Sequence, residues 1–181
     1  MPITTLDPHT ALVAIDLQGF VVGLPTVHPI AGVLANATKL CRAFRERELP
    51  VVLVNVAGGA PGRTEQKRSV NFPPGWTELV PELDRQPSDI LVTKYTVGAF
   101  HGTPLDMMLR RKGVTQIVLC GVSTSSGVEA TGRAAYEHGY NVTFAVDAMT
   151  DLAREMHDHS VQRSFPKIGE TGTTDDVLAK L

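Results

Sequence analysis

Residues 117–140 read IVLCGVSTSSGVEATGRAAYEHGY, which is the pattern of a strand, a turn and a helix in direct succession. The apolar run Ile117–Cys120 predicts a strand that breaks at Gly121, and helical spacing resumes from about Val128. Such a turn lies at the carboxyl end of its strand, where open α/β sheets bind their ligands. The first N–H groups of the helix then predict a site for an anion or a developing oxyanion. A plain connection between strand and helix fits the same letters, so both interpretations stay open.

Short runs of β-branched and apolar residues recur along the chain and alternate with helical patterns. The predicted strands are Ala11–Ile15, Val51–Val56, Ile90–Thr93, Ile117–Cys120, Val142–Val146 and a weaker sixth near Lys167–Glu170. This alternation is typical of βαβ units and predicts an α/β fold around a mostly parallel sheet of about six strands. The length of 181 residues predicts one domain over residues 1–181.

Two helices are marked by clear sequence signals. Apolar residues at spacings of three and four predict a helix over residues 30–44, whose apolar face covers the sheet. Thr103 as N-cap and Pro104 at the first helical position predict the start of another helix, which Lys112-Gly113 ends.

The stretch Ala57–Pro87 has neither a helical nor a strand pattern and is rich in glycine and proline. A long irregular segment inside a compact domain is usually a functional loop or a flexible excursion, and RTEQKR at 63–68 favours a solvated surface there. Phe72 and Trp76 in this loop are compatible with an interface.

The composition is that of an ordinary globular protein, with 43% hydrophobic and 20% charged residues. The formal net charge of −2 argues against a nucleic-acid surface, and no apolar run is long enough to cross a bilayer. Cys41 and Cys120 fall on predicted apolar faces and form no CxxC motif, so we expect inert buried thiols and a cytoplasmic protein.

Two charged residues follow predicted strands at the carboxyl edge of the sheet. Asp16 comes directly after the first strand and Lys94 directly after the third. An acid in that position is either a functional group or a cap that organises a loop, and a single Lys there commonly extends to solvent. Because the two charges are opposite and lie at neighbouring strand ends, we predict that they meet in a functional site.

In the order of its motifs, the chain resembles the isochorismatase-like hydrolases, also called the cysteine hydrolase superfamily. The resemblance runs from about Thr10 to Ser164 and rests on ALVAIDLQ at 11–18, TKYTVGAF at 93–100 and the turn sequence quoted above. It implies a three-layer α/β/α sandwich with a Rossmann-like sheet. It also implies a homo-oligomer, either a dimer or a tetramer.

The same resemblance implies a catalytic Asp, Lys and usually Cys, which map onto Asp16, Lys94 and Gly127. In the amidase members the Asp deprotonates the Cys, which attacks a carbonyl group. The isochorismatases proper carry Gly at that position and cleave a vinyl ether without a nucleophilic side chain. There, an acid protonates the enol-ether carbon and water captures the oxocarbenium ion, so Asp16 would be the acid of a small-molecule hydrolase.

Neighbouring residues do not replace the missing nucleophile in this interpretation. Cys120 falls within the strand before the turn, and neither Ser125 nor Ser126 is accompanied by a His in a recognisable motif. The protonation of Asp16 stays open, since Lys94 favours the ionised carboxylate and burial favours the protonated one.

Position in the sequence and the family resemblance together suggest which residues bind the substrate. They are Gln18, Phe20, Asn55, Phe100, Val122, Ser123, Thr124 and Ser126. Phe100 resembles the aromatic pocket wall of the family, and relatives commonly have a cis peptide bond before the residue equivalent to Ser123. Gln18 and Asn55 also fit polar groups of a loop, and Phe100 also fits a core residue.

We expect no metal and no cofactor. The metal-binding branch of the family carries an Asp with two His after its second strand, whereas NVAGGAPGR at 55–63 contains no His. Two alternatives to acid-assisted hydrolysis stay open: a catalytically silent relative that binds a small molecule or serves in an assembly, and an amidase whose Cys has been replaced.

Overall fold

The computed structural model describes residues 3–65 and 72–181, and the strands within them form one sheet. The strands are β1 (Thr10–Ile15), β2 (Val51–Val56), β3 (Ile90–Lys94), β4 (Gln116–Val122), β5 (Asn141–Thr150) and β6 (Glu170–Gly172). Their order in the sheet is β3-β2-β1-β4-β5-β6, and every neighbouring pair is parallel. The predicted parallel sheet is therefore confirmed.

Helices cover both faces of this sheet. They are α1 (Gly19–Val22), α2 (Ile30–Glu46), α3 (Leu105–Arg111), α4 (Glu129–Glu137), α5 (Arg154–His159) and α6 (Thr174–Leu178). On one face α2 and α6 bury Phe44 and Val177 against the sheet. On the other face α3 and α4 bury Leu109 and Ala135. The result is the expected three-layer α/β/α arrangement, and the apolar spacing over residues 30–44 correctly predicts the buried face of α2.

The strand order places a crevice between β1 and β4. From β1 the chain builds outward to β3, and it then returns beside β1 with β4 and builds outward to β6 on the other side. Connections leaving two such strands diverge, and open α/β sheets bind ligands at this switch point. Gly121 lies opposite Ile15 with a φ of +119°, and a Cβ there would clash with the Ile15 backbone, so this close approach requires glycine.

The structure corrects the bounds of three predicted strands, of which β4 continues through Gly121 to Val122 instead of breaking at Gly121. β5 continues to Thr150 instead of ending at Val146, after a register shift against β4. The polar Asp147 interrupts the apolar run, but its carboxylate accepts hydrogen bonds from the backbone and hydroxyl of Thr174. β6 begins at Glu170, because Phe165–Lys167 form a 3₁₀ turn where the strand was predicted to start.

The start of α3 is also corrected. The helix begins at Leu105 with Pro104 as its cap, one residue later than predicted. The Thr103 hydroxyl still accepts the Leu105 N–H at 3.2 Å, but it donates to the Ala99 carbonyl at 2.5 Å and so belongs to the preceding turn.

The predicted loop Ala57–Pro87 has no strand among its described residues and contains one 3₁₀ turn, Pro81–Leu83. Residues 66–71 of this loop, including part of the stretch predicted to be solvated, lie outside the described residues. In the part of the chain that the structure describes, no helix has the length and apolar character needed to cross a membrane.

Candidate active site

A buried ion pair lies at the carboxyl edge of the sheet. Asp16 follows β1 and Lys94 ends β3, and the Lys94 Nζ lies 2.8 Å from the Asp16 Oδ2. Only 6% of Asp16 and 2% of Lys94 are exposed, so both groups are shielded from bulk water. Lys94 also donates to the Thr96 carbonyl at 3.3 Å. The structure thus brings together the two charges that the sequence places at separate strand ends.

The two carboxylate oxygens of Asp16 have different surroundings. Oδ2 accepts the Lys94 ion pair, whereas Oδ1 is buried and, among the described residues, has no hydrogen-bond partner. Burial raises the pKa of Asp16 from 3.8 to about 6, although the charge and the hydrogen bond of Lys94 lower it. Burial therefore outweighs the Lys, and a large share of Asp16 is protonated near pH 6.

The turn after β4 leaves open space beside this carboxyl group. A cis peptide bond joins Val122 and Ser123, as the family resemblance implies, and Thr124–Val128 then form a π-helical turn that leads into α4. Gly127 is buried in this turn. A Cβ added there would lie 3.4 Å from the Asp16 Oδ2 and 3.0 Å from the Ile15 Cγ2. A side chain at position 127 would therefore reach the Asp16 carboxylate.

Another carboxylate binds the start of the turn. The Asp151 Oδ2 accepts the Ser125 N–H at 2.7 Å, and its Oδ1 accepts the Leu152 N–H at 2.8 Å. Asp151 is 3% exposed. The Ser125 N–H is therefore not free to bind an external anion, because a carboxylate of the chain already accepts its hydrogen bond.

Helix α5 holds the same turn through a buried histidine. The His157 Nδ1 lies 2.9 Å from the Thr124 hydroxyl, and the His157 ring packs against His28 at a centroid distance of 4.6 Å. The His28 Nδ1 in turn lies 3.1 Å from the Thr150 hydroxyl. Burial lowers the pKa of His157, and His28 lowers it further, so His157 favours the neutral form.

A cavity of about 590 Å³ extends from Asp16 to an aromatic wall. The wall consists of Phe20, Phe72 and Trp76, with Phe72 stacked on Trp76 at 3.9 Å between centroids. Phe20 contacts Phe72 edge to face at 5.2 Å. A planar apolar group of a ligand can therefore lie against this wall while a polar group reaches the carboxyl edge of the sheet.

Seven of the predicted site residues line this cavity. They are Asp16, Phe20, Lys94, Val122, Ser123, Ser126 and Gly127. The predicted substrate contacts Gln18 and Asn55 do not. The fully buried Gln18 side chain hydrogen-bonds to both Val56 backbone groups and to the Trp76 carbonyl, and Asn55 donates to the Thr77 carbonyl. Both amides position the loop that carries the aromatic wall.

Phe100 and Thr124, which were also predicted as substrate contacts, lie outside the cavity lining. Phe100 is buried in the core under α3, where its ring packs against His138 and Tyr140. Thr124 is fully buried, and its hydroxyl faces His157. Both residues support the site from outside the cavity.

Sequence reasoning did not identify Asp151, Leu152 and Met156, which also line the cavity. The sequence signal that could have identified Asp151 is an acid directly after a strand, as for Asp16. It was missed because β5 was predicted to end at Val146, which left Asp151 several residues inside a loop. Within residues 3–65 and 72–181, no group of three or more His, Cys, Asp or Glu could hold a metal ion.

Comparison with known proteins places these residues in a family. A sequence model of the isochorismatase domain matches residues 10–176. An uncharacterized isochorismatase family protein of Bacillus subtilis is 42% identical over 180 residues, which cover 95% of this chain and 94% of that protein. A ureidoacrylate amidohydrolase of Pseudomonas syringae is 29% identical over 81% of this chain and 73% of its own length. The structure of an isochorismatase family protein from Burkholderia thailandensis aligns with a TM-score of 0.93 and 43% identity, covering 98% of this chain and 97% of the other.

Proposed function

Because the chain belongs to the isochorismatase family of hydrolases, we propose that it cleaves a small molecule by acid-assisted attack of water, without a covalent intermediate. The observation that carries this proposal is the Asp16 carboxyl group. Its Oδ2 is held by Lys94 at 2.8 Å, its Oδ1 has no hydrogen-bond partner in the described part of the chain, and burial raises its pKa to about 6. Such a group can hold a proton near neutral pH and release it to a substrate.

The reaction that fits this acid is hydrolysis of a vinyl ether. The Asp16 Oδ1–H transfers its proton to the terminal alkene carbon, where a C–H bond forms, and the ether carbon becomes an oxocarbenium ion. Water adds to that carbon and returns one proton to Asp16. The resulting hemiketal collapses to an alcohol and a ketone, so that the net change is the addition of one water molecule.

Lys94 fixes the orientation of the acid in this scheme. Since its Nζ bonds to Oδ2, the proton is confined to Oδ1. The ammonium group also compensates the carboxylate that forms after proton transfer, which favours release of the proton.

Gly127 leaves room for water beside the carboxyl group, and no thiol is within reach to replace it. Cys120 is fully buried in the layer between the sheet and α2, and burial raises its thiol pKa well above the ordinary value. Cys41 lies in the same layer, and burial raises its pKa to about 12. Neither thiol is available as a thiolate.

Turnover of matched substrate panels tests the proposal. We expect the wild-type protein to hydrolyse members of a panel of small vinyl ethers, and intact-mass spectra taken during turnover to show no covalent adduct. A stable acyl adduct, or turnover confined to a matched panel of amides, would contradict the mechanism. Lack of turnover on both panels would favour a binding protein.

Replacement of a nucleophilic Cys is the second candidate. It is supported by the position of Gly127, whose added Cβ would lie 3.4 Å from the Asp16 Oδ2, and by the similarity to an amidohydrolase. In an amidase of this kind, the Asp16 carboxylate would accept the proton of a thiol at position 127.

A further inference from the structure

The charges that line the cavity restrict the substrate that the proposed hydrolase accepts. Among the described residues, the charged side chains on the cavity wall are Asp16, Lys94 and Asp151. The Lys94 Nζ is buried, and two of its three N–H donors are used inside the protein, by the Asp16 Oδ2 at 2.8 Å and the Thr96 carbonyl at 3.3 Å. No cationic side chain in the described part of the chain forms an ion pair with the Asp151 carboxylate, whose hydrogen-bond donors are the backbone N–H groups of Ser125 and Leu152.

Asp151 also blocks the backbone group that would otherwise bind an anion. Its Oδ2 accepts the Ser125 N–H at 2.7 Å and its Oδ1 accepts the Leu152 N–H at 2.8 Å, so both oxygens are fixed by the backbone. A carboxylate or phosphate of a ligand would have to displace this buried group to reach the Ser125 N–H. If it stayed beside Asp151 instead, two like charges would face each other in a poorly solvated site, which would weaken binding.

The acceptors in the cavity favour a ligand that donates hydrogen bonds. The Asp151 carboxylate keeps lone pairs beyond its two backbone bonds, and these can accept further hydrogen bonds. Ser126 adds a hydroxyl group at the cavity wall, which can donate or accept. At the other end, the stacked Phe72 and Trp76 rings offer an apolar wall.

We propose that Asp151 makes this site select an uncharged small molecule. Such a substrate presents an N–H or O–H donor to the turn, where a carboxylate or phosphate would be disfavoured, and its planar apolar part lies against Phe20, Phe72 and Trp76. This inference rests on the proposed function for the location of the site. It predicts binding preferences that are independent of whether Asp16 performs the chemistry.

Three probes of equal shape test the charge preference: benzamide, benzoate and benzamidinium, which are neutral, negative and positive. Their dissociation constants are measured from the amide signals of Ser125 and Ser126 in ¹⁵N-labelled protein, so that binding is read in the cavity itself. We expect benzamide to bind at least about ten-fold more tightly than benzoate, and benzamidinium also to bind more tightly than benzoate. Both charged probes lose hydration when they bind, so the difference in affinity between benzamidinium and benzoate reports which sign of charge the cavity prefers.

Two substitutions attribute the preference to the cavity wall. Asp151→Asn keeps the shape of the side chain, and we expect the difference between benzamide and benzoate to shrink to less than about three-fold. Met156 is half exposed at the cavity, so Met156→Lys adds a cation without burying it, and we expect tighter binding of benzoate. The matched Met156→Gln variant changes length and polarity similarly without adding charge, and it should leave benzoate binding weak.

The inference is overturned if wild-type protein binds benzoate as tightly as benzamide, or if Met156→Lys and Met156→Gln bind benzoate equally. It is also overturned if benzamide shifts neither amide signal up to its solubility limit. Because none of these measurements requires turnover, their failure is distinguishable from a failure of the hydrolytic mechanism, which is decided by substitutions at Asp16.

Discussion

Two buried carboxylates line the same cavity and differ in what their oxygens contact. Both Asp151 oxygens accept backbone N–H groups, from Ser125 and Leu152. One Asp16 oxygen bonds to Lys94 and the other has no partner within residues 3–65 and 72–181, and burial raises the pKa of Asp16 to about 6. The difference shows how one cavity can hold a carboxylate that fixes the backbone and another whose proton is available for chemistry.

The largest effect is expected from removing the acid. Asp16→Asn should lower kcat/KM for a vinyl ether by about 100-fold or more, because general acid catalysis contributes about 10²- to 10⁴-fold. Steady-state kinetics on the wild type and the variant measure this loss. Retention of full activity would remove Asp16 from the mechanism.

A matched control for Asp16→Asn is available on the other side of the sheet. Asp89 is also a buried carboxylate in an ion pair, with Arg45 at 2.7 Å, but it lies outside the cavity. Asp89→Asn should therefore destabilise the fold with little change in kcat/KM of the folded protein. Because Asp16→Asn leaves the Lys94 charge buried without a carboxylate, the double variant Asp16→Asn/Lys94→Met serves as a check on folding.

The pH dependence of activity and of stability should report the same group. Activity requires protonated Asp16, so it should fall as the pH rises through about 6. The raised pKa means that the folded chain binds this proton more tightly than the unfolded chain. The stabilisation from Asp16 is therefore fully present below pH 3.8 and is lost as the pH rises through about 6.

The loss of stability with rising pH can be measured as a change in the free energy of unfolding. Between about pH 4 and about pH 7, the wild type should lose roughly 2 kcal/mol of unfolding free energy relative to Asp16→Asn. Urea titrations of both proteins at several pH values measure the difference. A difference that does not change with pH would contradict a raised pKa.

Substitution of Asp151, whose carboxylate binds the backbone, should lower stability and leave the pH dependence of activity unchanged. Asp151→Ala leaves the Ser125 and Leu152 N–H groups without their acceptor, and we expect a loss of about 1–3 kcal/mol of unfolding free energy. The midpoint of the pH–activity profile should stay near that of the wild type, since burial and Lys94 set the pKa of Asp16. Asp158→Ala is a control, since Asp158 lies on the nearby helix α5 and outside the cavity. A midpoint that moves by more than about one pH unit in Asp151→Ala would contradict the view that burial and Lys94 set the pKa of Asp16.

The smallest effect on stability is expected at Gly127. An added Cβ lies 3.0 Å from the Ile15 Cγ2, so Gly127→Ala should cost about 1 kcal/mol or slightly more. Gly127→Cys should cost a similar amount and place a thiol beside Asp16. We expect this thiol to react with iodoacetamide far faster than the buried Cys41 and Cys120, which are the only thiols in Gly127→Ala. Equal labelling of the two variants would show that position 127 does not face the cavity.

Sequence reasoning predicted the sheet well because burial leaves a regular signature. Strands such as Val51–Val56 are apolar on both faces, and the helix over residues 30–44 shows helical spacing. The family resemblance supplied the mapping of Asp16, Lys94 and Gly127. The distance that joins the two charges and the direction of the Asp16 pKa came from the three-dimensional packing.

The remaining site residues were harder to predict because their roles depend on contacts distant in sequence. Gln18 is polar and two residues after Asp16, yet its side chain bonds to Val56 and Trp76 instead of facing the cavity. The sequence does not point to Asp151, because Asp147 interrupts the apolar run of β5 and the predicted strand therefore ends too early. The polar Asp147 is accommodated by its contact with Thr174. Residue type and position alone do not distinguish these cases.

The most direct measurement is a titration of the Asp16 carboxyl group itself. In protein labelled with ¹³C at the aspartate carboxyl carbons, the Asp16 signal is assigned by its absence in Asp16→Asn and followed as the pH is varied. The account predicts a midpoint of about 6, and a higher midpoint in Lys94→Met, because the Lys lowers the pKa. A midpoint at or below the ordinary value of 3.8 would contradict a carboxyl group that holds its proton for catalysis.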